Sequence, residues 1–204
     1  MPAEQQYFAQ NPGSESNPTP FSLKWREREY TFLTDSGVFS KGALDYGTRA
    51  LLEALPDGII GRVLDLGCGW GPVGVLLGAQ HPDATIVMAD VNERAVMLAA
   101  ENARRNQVKA QAIQSDGFNN ITGQFDVIAL NPPIRAGKET VYRLFSEAAD
   151  HLTPGGALYV VMRKQQGAPS ALKFLAGVYS QVETLSITGG YRVIKCMEGK
   201  AQHV

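Results

Sequence analysis

The 204-residue chain has few cysteines and histidines and no long apolar run. Its two cysteines, Cys68 and Cys196, are too few for a disulfide framework and indicate a protein of the reducing cytoplasm. The three histidines are scattered and match no metal-ligand spacing, so no metal site is predicted. No apolar run approaches the ~18–20 residues that cross a bilayer, so no membrane contact is expected. Residues 1–20 also lack a signal-peptide pattern.

Positive and negative side chains are nearly equal in number, with 19 Lys and Arg and 20 Asp and Glu. A formal net charge of −1 and a pI near 6.3 argue against a protein that holds nucleic acid by bulk electrostatic attraction. A chain of this length is expected to form one α/β domain that buries roughly 70% of the surface of its unfolded state. Residues 1–20 are rich in Pro, Ser, Asn and Gln and predict a flexible tail, with a single domain over residues 21–204.

Strand and helix patterns alternate along that domain. Residues 21–40 predict a small β-hairpin extension, in which residues 21–33 supply two short strands. Helices are predicted after Pro72 and over 43–55, 92–106 and 139–152, and strands over 62–66, 84–89, 110–114, 125–130, 157–162 and 191–196. Such alternation is typical of a mostly parallel sheet flanked by helices.

The most informative segment is Asn-Pro-Pro-Ile at residues 131–134, which follows the predicted buried strand 125–130. The Asn131 amide oxygen and the Pro132 carbonyl are two acceptors, and an –NH2 group has two hydrogens to donate to them. The residues alone leave open whether Asn-Pro-Pro holds such a group or only ends the strand.

A glycine loop follows the predicted strand 62–66. Glycine permits tight turns with positive φ and close approach of a ligand to the main chain. Gly69, Gly71 and Gly74 match the dinucleotide pattern G-x-G-x-x-G, whereas Asp65 with the next three alternate glycines matches the D-x-G-x-G-x-G loop of methyltransferases. Cys68 lies inside this loop and is predicted to be a small filler residue, not a nucleophile.

Two further strands end in acidic residues. Strand 84–89 ends at Asp90, whose carboxylate suits ribose hydroxyls, and strand 110–114 leads to Asp116, which suits an adenine amino group. An aromatic ring, Phe118, follows closely and is predicted to cover the adenine face. Ligands of open parallel sheets bind beyond the carboxyl ends of the strands, so these groups and Asn131 are predicted to form one site.

These segments resemble the class I S-adenosylmethionine-dependent methyltransferases of the small domain family, which includes the guanine-N2 methyltransferases of small-subunit ribosomal RNA. The resemblance runs from about Phe21 to the C-terminus and is greatest to short, single-domain bacterial members. It rests on residues 35–40, 65–71, 90, 116 and 131–138. It implies a Rossmann-like fold with a mostly parallel seven-stranded sheet, an antiparallel last strand and helices on both faces.

The resemblance also implies roles for individual residues. The residues implied to bind S-adenosylmethionine are Asp65, Gly67, Cys68, Gly69, Gly71, Asp90, Val91, Asp116, Gly117, Phe118 and Asn131. The residues implied at methyl transfer are Asn131, Pro132, Pro133 and Ile134. Ile134 departs from the family pattern, because amino-methylating relatives usually carry Tyr, Phe or Trp there, and an aliphatic side chain lacks aromatic stacking.

The predicted activity is therefore methylation of an exocyclic amine, foremost guanine N2 in ribosomal RNA. The candidate contacts to RNA are Phe39, Arg135, Lys138, Arg163 and Lys164. Two alternatives stay open: a methyltransferase of protein glutamine or of a small amine, and an NAD-type oxidoreductase or noncatalytic nucleotide-binding module. The sequence leaves the oligomeric state open and is compatible with a monomer.

Overall fold

The computed structural model describes residues 15–38 and 42–200, so Phe39 and residues 1–14 of the predicted tail lie outside the described residues. Within those ranges the chain forms five α-helices and nine strands. The helices are α1 (Tyr46–Ala54), α2 (Pro72–Gln80), α3 (Glu93–Arg105), α4 (Lys138–Asp150) and α5 (Ala168–Val178). The strands are β1 (Thr19–Trp25), β2 (Arg28–Thr34), β3 (Gly61–Leu66), β4 (Ala84–Asp90), β5 (Ala110–Gln114), β6 (Phe125–Leu130), β7 (Leu152–Arg163), β8 (Tyr179–Thr188) and β9 (Tyr191–Gly199).

Seven strands form one sheet in the order β5-β4-β3-β6-β7-β9-β8. The first five in that order pair in parallel, and β9 is antiparallel to both of its neighbours. This confirms the predicted mostly parallel sheet with an antiparallel last strand. After β3 the chain adds β4 and β5 on one side of it, and it then returns to place β6 and β7 on the other side. Such a reversal of strand order opens a crevice at the carboxyl ends of β3 and β6.

Helices cover both faces of the sheet, as predicted. Successive strand residues point to opposite faces, so Val63 belongs to the apolar core under α1, α2 and α3. Its neighbour Leu64 belongs to a second core under α4 and α5. The central strands are therefore buried on both sides, and their polar ends are fixed to a rigid frame.

The predicted hairpin forms from β1 and β2 and is held by Asn102 of α3 and by Asn106, the C-cap of that helix. Asn102 exchanges hydrogen bonds with the backbone N–H and C=O of Leu33 at 2.7 and 2.9 Å. Asn106 does the same with Thr31 at 3.1 and 2.9 Å. Because the two amides are one helical turn apart, they replace the strand that would otherwise pair with the edge of β2.

Candidate active site

A cavity of about 410 Å³ lies at the carboxyl ends of β3, β4, β5 and β6, within the size range of small-ligand sites. The structure brings together in its lining most of the residues predicted from the sequence. Those residues are Asp65, Gly67, Cys68, Gly69, Asp90, Val91, Asp116, Gly117, Asn131, Pro132 and Pro133. Gly71, Phe118 and Ile134 are not part of that lining, and neither are the four described cations predicted to contact RNA.

The glycines of the loop divide into two kinds. Gly67 and Gly69 have left-handed φ angles of 70° and 56°, and a Cβ on either would meet nothing within 4 Å. They leave open space beside the main chain, which a ligand can enter. Gly71 has φ 84°, but a Cβ there would lie 3.0 Å from Cα of Ala99. Gly71 therefore permits close packing of the loop on α3 and is displaced from the predicted ligand-facing role.

Asp90 ties the glycine loop to the start of α3. Its Oδ2 accepts a hydrogen bond from Gly69 N at 2.8 Å, and its Oδ1 accepts one from Asn92 N at 2.9 Å. A carboxylate has about four acceptor positions, so each oxygen can accept a further donor from the cavity side. The burial of Asp90 raises the pKa of its carboxyl, although the backbone donors oppose that shift.

Asp65 is buried at the end of β3 and accepts a hydrogen bond from Gly74 N of α2 at 2.9 Å. Burial raises the pKa of Asp65 to about 7, the Gly74 N–H lowers it, and the negative charge of Asp90 raises it further. An ionised Asp65 is thus costly in the free protein and suits a site that receives a cationic ligand group.

The raised pKa of Asp65 predicts a pH-dependent stability difference. In the unfolded chain the carboxyl ionises near pH 4, whereas in the fold it keeps its proton to about pH 7, so its cost to stability appears as the pH rises through that window. The Asp65→Asn variant keeps an acceptor for Gly74 N but carries no charge. We expect the free energy of unfolding of the variant, relative to that of the wild type, to increase between pH 4 and pH 7 by a few kcal/mol at most. Above pH 7 the difference between the two proteins should stay constant. Urea unfolding across this range measures the difference; a difference that is already constant from pH 4 to pH 7 would contradict the assignment.

Asp116 is exposed and is held by a cation that the sequence analysis did not include. Arg143 of α4 donates from Nη2 to Asp116 Oδ1 at 2.6 Å and from Nη1 to Glu147 at 3.0 Å, and it lines the cavity. Phe118 does not cover the cavity as predicted, because its ring is buried in the second core and stacks on His151 at 4.3 Å. The Arg143 guanidinium, and not the Phe118 ring, is therefore the flat side-chain group that adjoins Asp116 in the cavity lining.

Asn131 is oriented by the first turn of α1. Asp45 caps that helix, and its Oδ2 accepts the hydroxyl hydrogen of Thr48 at 2.5 Å. Because the Thr48 hydroxyl has given its one hydrogen away, it offers Asn131 a lone pair. The Asn131 amide nitrogen donates to that oxygen at 3.0 Å and lies 3.5 Å from Asp45 Oδ1. The nitrogen side of the amide is thereby occupied, and its oxygen is left for the cavity, beside Pro132.

Ile134 and the predicted basic residues lie outside the cavity lining, after β6 and at the end of β7. Ile134 starts a 3₁₀ turn and packs against the second core, so it adds no stacking surface to the cavity. The ammonium of Lys138 lies 5.1 Å from the ring centre of Tyr142, and the guanidinium of Arg163 lies 5.8 Å from that of Tyr191. Arg135 and Lys164 are exposed in the turns that follow β6 and β7.

In residues 15–38 and 42–200 no group of three or more His, Cys, Asp or Glu side chains is placed to hold a metal ion. In the same ranges no helix is both long and apolar enough to cross a bilayer. Cys68 is buried with a free thiol, and burial raises its pKa well above the ordinary value, as expected for a filler residue rather than a nucleophile.

Comparison with known proteins agrees with this architecture. Residues 29–195 match the model of the methyltransferase small domain family. The uncharacterized protein YbxB of Bacillus subtilis is 42% identical over 193 residues, which cover 93% of this chain and 96% of that protein. A ribosomal RNA small subunit methyltransferase C of Pseudoalteromonas translucida is 40% identical over 146 residues, 70% of this chain and 43% of that protein.

A solved structure from T. thermophilus, an N2 methyltransferase of 16S rRNA in complex with AdoMet and guanosine, is similar with a TM-score of 0.81. It is 30% identical and covers 90% of this chain, which in turn covers 51% of it. The chain thus spans about half the length, or less, of these ribosomal RNA methyltransferases. The chain belongs to the methyltransferase small domain family. It is an S-adenosylmethionine-dependent methyltransferase by class, which confirms the predicted family and decides between the two glycine-loop templates.

Proposed function

We propose that this methyltransferase acts on the exocyclic amine of guanine in small-subunit ribosomal RNA. The observation that carries the proposal is the orientation of Asn131, whose amide oxygen is directed away from Thr48 by two successive hydrogen bonds. Support also comes from the T. thermophilus relative, which was solved with AdoMet and guanosine. Such a substrate would place the enzyme in the cytoplasm.

The residues of the cavity fit S-adenosylmethionine. Gly67 and Gly69 offer open main chain where the methionine part would lie, and the buried Asp65 would face its positive charge. Asp90 has acceptor positions left for the two ribose hydroxyls, and Asp116 would accept from the adenine amine while the Arg143 guanidinium covers the ring. The bound cofactor would supply an electrophilic methyl group attached to a positively charged sulfur.

The chain's own residues would activate the amine. The nitrogen of an aromatic amine is a poor nucleophile, because its lone pair is delocalised into the ring. The Asn131 Oδ1 and the Pro132 carbonyl would accept its two hydrogens, favour a pyramidal nitrogen and stabilise the positive charge that develops on it.

The amine nitrogen held by Asn131 and Pro132 would take the methyl group in exchange for one of its hydrogens, and the electron pair of the broken methyl–sulfur bond would leave with the cofactor. The methylated nitrogen would be acidic and would lose that proton to water, so these residues would need no general base beside them. Most of the remaining acceleration would come from holding the two reactants in line.

RNA affinity would depend on local charge, since a chain with net charge −1 gains little from long-range attraction. Arg135 and Lys138 follow β6, and Arg163 and Lys164 follow β7, so all four lie near the sheet edge that carries Asn131. We propose that they contact phosphates beside the target base, which must be unstacked or single-stranded to reach the cavity.

The test is transfer of labelled methyl groups to fractionated substrates. The purified protein is incubated with labelled S-adenosylmethionine and with 16S rRNA, small subunits, tRNA or ribosomal proteins from cells that lack this gene. We expect label in the small-subunit RNA and N2-methylguanosine on digestion. Label in protein alone would replace this proposal with glutamine methylation, and label on another base would refute the guanine assignment.

A further inference from the structure

An exposed aromatic side chain follows directly, along the chain, a residue of the cavity lining. Tyr46 is the first residue of α1 and is 78% exposed. It is the most exposed large apolar side chain in residues 15–38 and 42–200. Its chain neighbour Asp45 lines the cavity and lies 3.5 Å from the Asn131 amide. Tyr46 itself is not part of the cavity lining, although Asp45 before it and Thr48 two residues after it both are.

A second tyrosine packs on the same turn of α1, and two cations lie beside that tyrosine. A Cβ on Gly47 would lie 3.0 Å from the Tyr191 ring, so that ring packs on the first turn of α1. The Arg163 guanidinium lies 5.8 Å from the centre of the same ring, and Lys164 follows it in the chain. Lys164 N donates to Gly190 O at 2.8 Å, which holds the end of β7 against the start of β9. We call Tyr46, Tyr191, Arg163 and Lys164 the α1 rim.

The α1 rim combines the two features that single-stranded nucleic acid requires. Stacking of a base on an aromatic ring contributes about 1–3 kcal/mol and tolerates any base, while neighbouring cations meet the phosphates. A protein partner would favour a broader apolar surface, whereas two of the four residues of the α1 rim are cations. The rim also supplies an aromatic ring that the Asn-Pro-Pro-Ile segment lacks, since Ile134 packs into the second core.

We propose that Tyr46 stacks on the nucleotide that flanks the target base, outside the cavity. The target base enters the cavity at Asn131, and the flanking base rests on the Tyr46 ring with its phosphates near Arg163 and Lys164. This inference rests on the proposed RNA methylation and deepens it by naming a substrate-binding residue of that reaction.

The experiment compares Tyr46→Ala with Tyr46→Phe, using Ile60→Ala as the matched control. Ile60 is 71% exposed and precedes β3, so it lies at the amino ends of the parallel strands, away from the cavity at their carboxyl ends. The probe is a fluorescein-labelled single-stranded RNA with one guanine flanked by uridines. Tyr46→Ala should weaken RNA binding about 10- to 100-fold and raise KM for RNA, whereas Tyr46→Phe and Ile60→Ala should stay within threefold of the wild type. The Kd for S-adenosylmethionine should be unchanged in all three variants.

The outcomes separate the two proposals. If the wild type methylates RNA and Tyr46→Ala binds the probe as tightly as the wild type, the stacking role is refuted and the proposed function stands. Equal loss in Tyr46→Ala and Tyr46→Phe would assign the effect to the hydroxyl and also refute stacking. If the wild type binds no RNA and labels only protein, both proposals fall together.

Discussion

Replacing Asn131 with alanine is expected to lower kcat by about 10²–10³, which is the usual cost of losing one preorganised polar contact to a charge that develops in the transition state. Binding of S-adenosylmethionine should change little, because the glycine loop, Asp65 and Asp90 remain. Single-turnover methyl transfer measures the first quantity, and isothermal titration measures the second.

Thr48→Val tests the orientation of Asn131 without removing its amide. Valine removes the hydroxyl that accepts from the Asn131 amide nitrogen and leaves the Asp45 contacts to the backbone of α1 in place. The Asn131 oxygen is then present but less well fixed, so we expect a smaller loss, of about tenfold in kcat. If Asn131→Ala kept kcat within fivefold of the wild type on the true substrate, the assignment of Asn131 to the amine would be wrong.

Much of the sheet could be predicted from the sequence because its central strands are buried on both faces. The apolar run at 125–130 coincides with β6 as observed, whereas 110–114 coincides with β5, an edge strand that is only partly buried. Each such strand is followed by a polar residue, and a parallel sheet places those ends together. The positions of Asp65, Asp90 and Asn131 in one cavity follow from these two local features.

The sequence missed β8 and α5, and for β8 the reason lies in its low burial. In β8 only the first residue, Tyr179, is buried, so no alternation of apolar and polar residues marks the strand. The start of β7 was also missed, because Pro154-Gly155-Gly156 is typical of a turn, yet β7 runs through it from Leu152. Pattern analysis detects burial, and an edge strand has little of it.

Contacts between distant segments account for what the sequence missed in the site. Thr48 and Asp45 lie 83 and 86 residues from Asn131 along the chain, and no local pattern connects them. Asp45 had one usable signal, since aspartate before a predicted helix is a common N-cap. Phe118 is the opposite case of a residue that was predicted in the site but lies outside it. The sequence shows that an aromatic ring is present but not the direction in which it points.

Replacing Asp90 with asparagine is expected to raise the Kd for S-adenosylmethionine by about 10²-fold or more. Both oxygens of Asp90 already accept backbone N–H groups, from Gly69 and Asn92. An asparagine would turn an NH2 group toward one of these donors, so that one side of the contact becomes repulsive and the glycine loop loses its tie to β4. Charge-assisted hydrogen bonds to the ribose hydroxyls, each worth about 1.5–3 kcal/mol, would be weakened as well.

Asp126→Asn is the matched control for the loss of a carboxylate that accepts two hydrogen bonds. Asp126 accepts from Arg62 N at 2.7 Å and from the Thr153 hydroxyl at 2.9 Å, but it does so at the opposite edge of the sheet. The Asp126→Asn substitution should lower the free energy of unfolding and leave the affinity for S-adenosylmethionine unchanged, whereas Asp90→Asn should lower both. Isothermal titration of the two variants distinguishes a ligand contact from a purely structural one. A Kd for Asp90→Asn within threefold of the wild type would mean that Asp90 only shapes the loop, and the ribose would then have to be bound by other groups of the cavity.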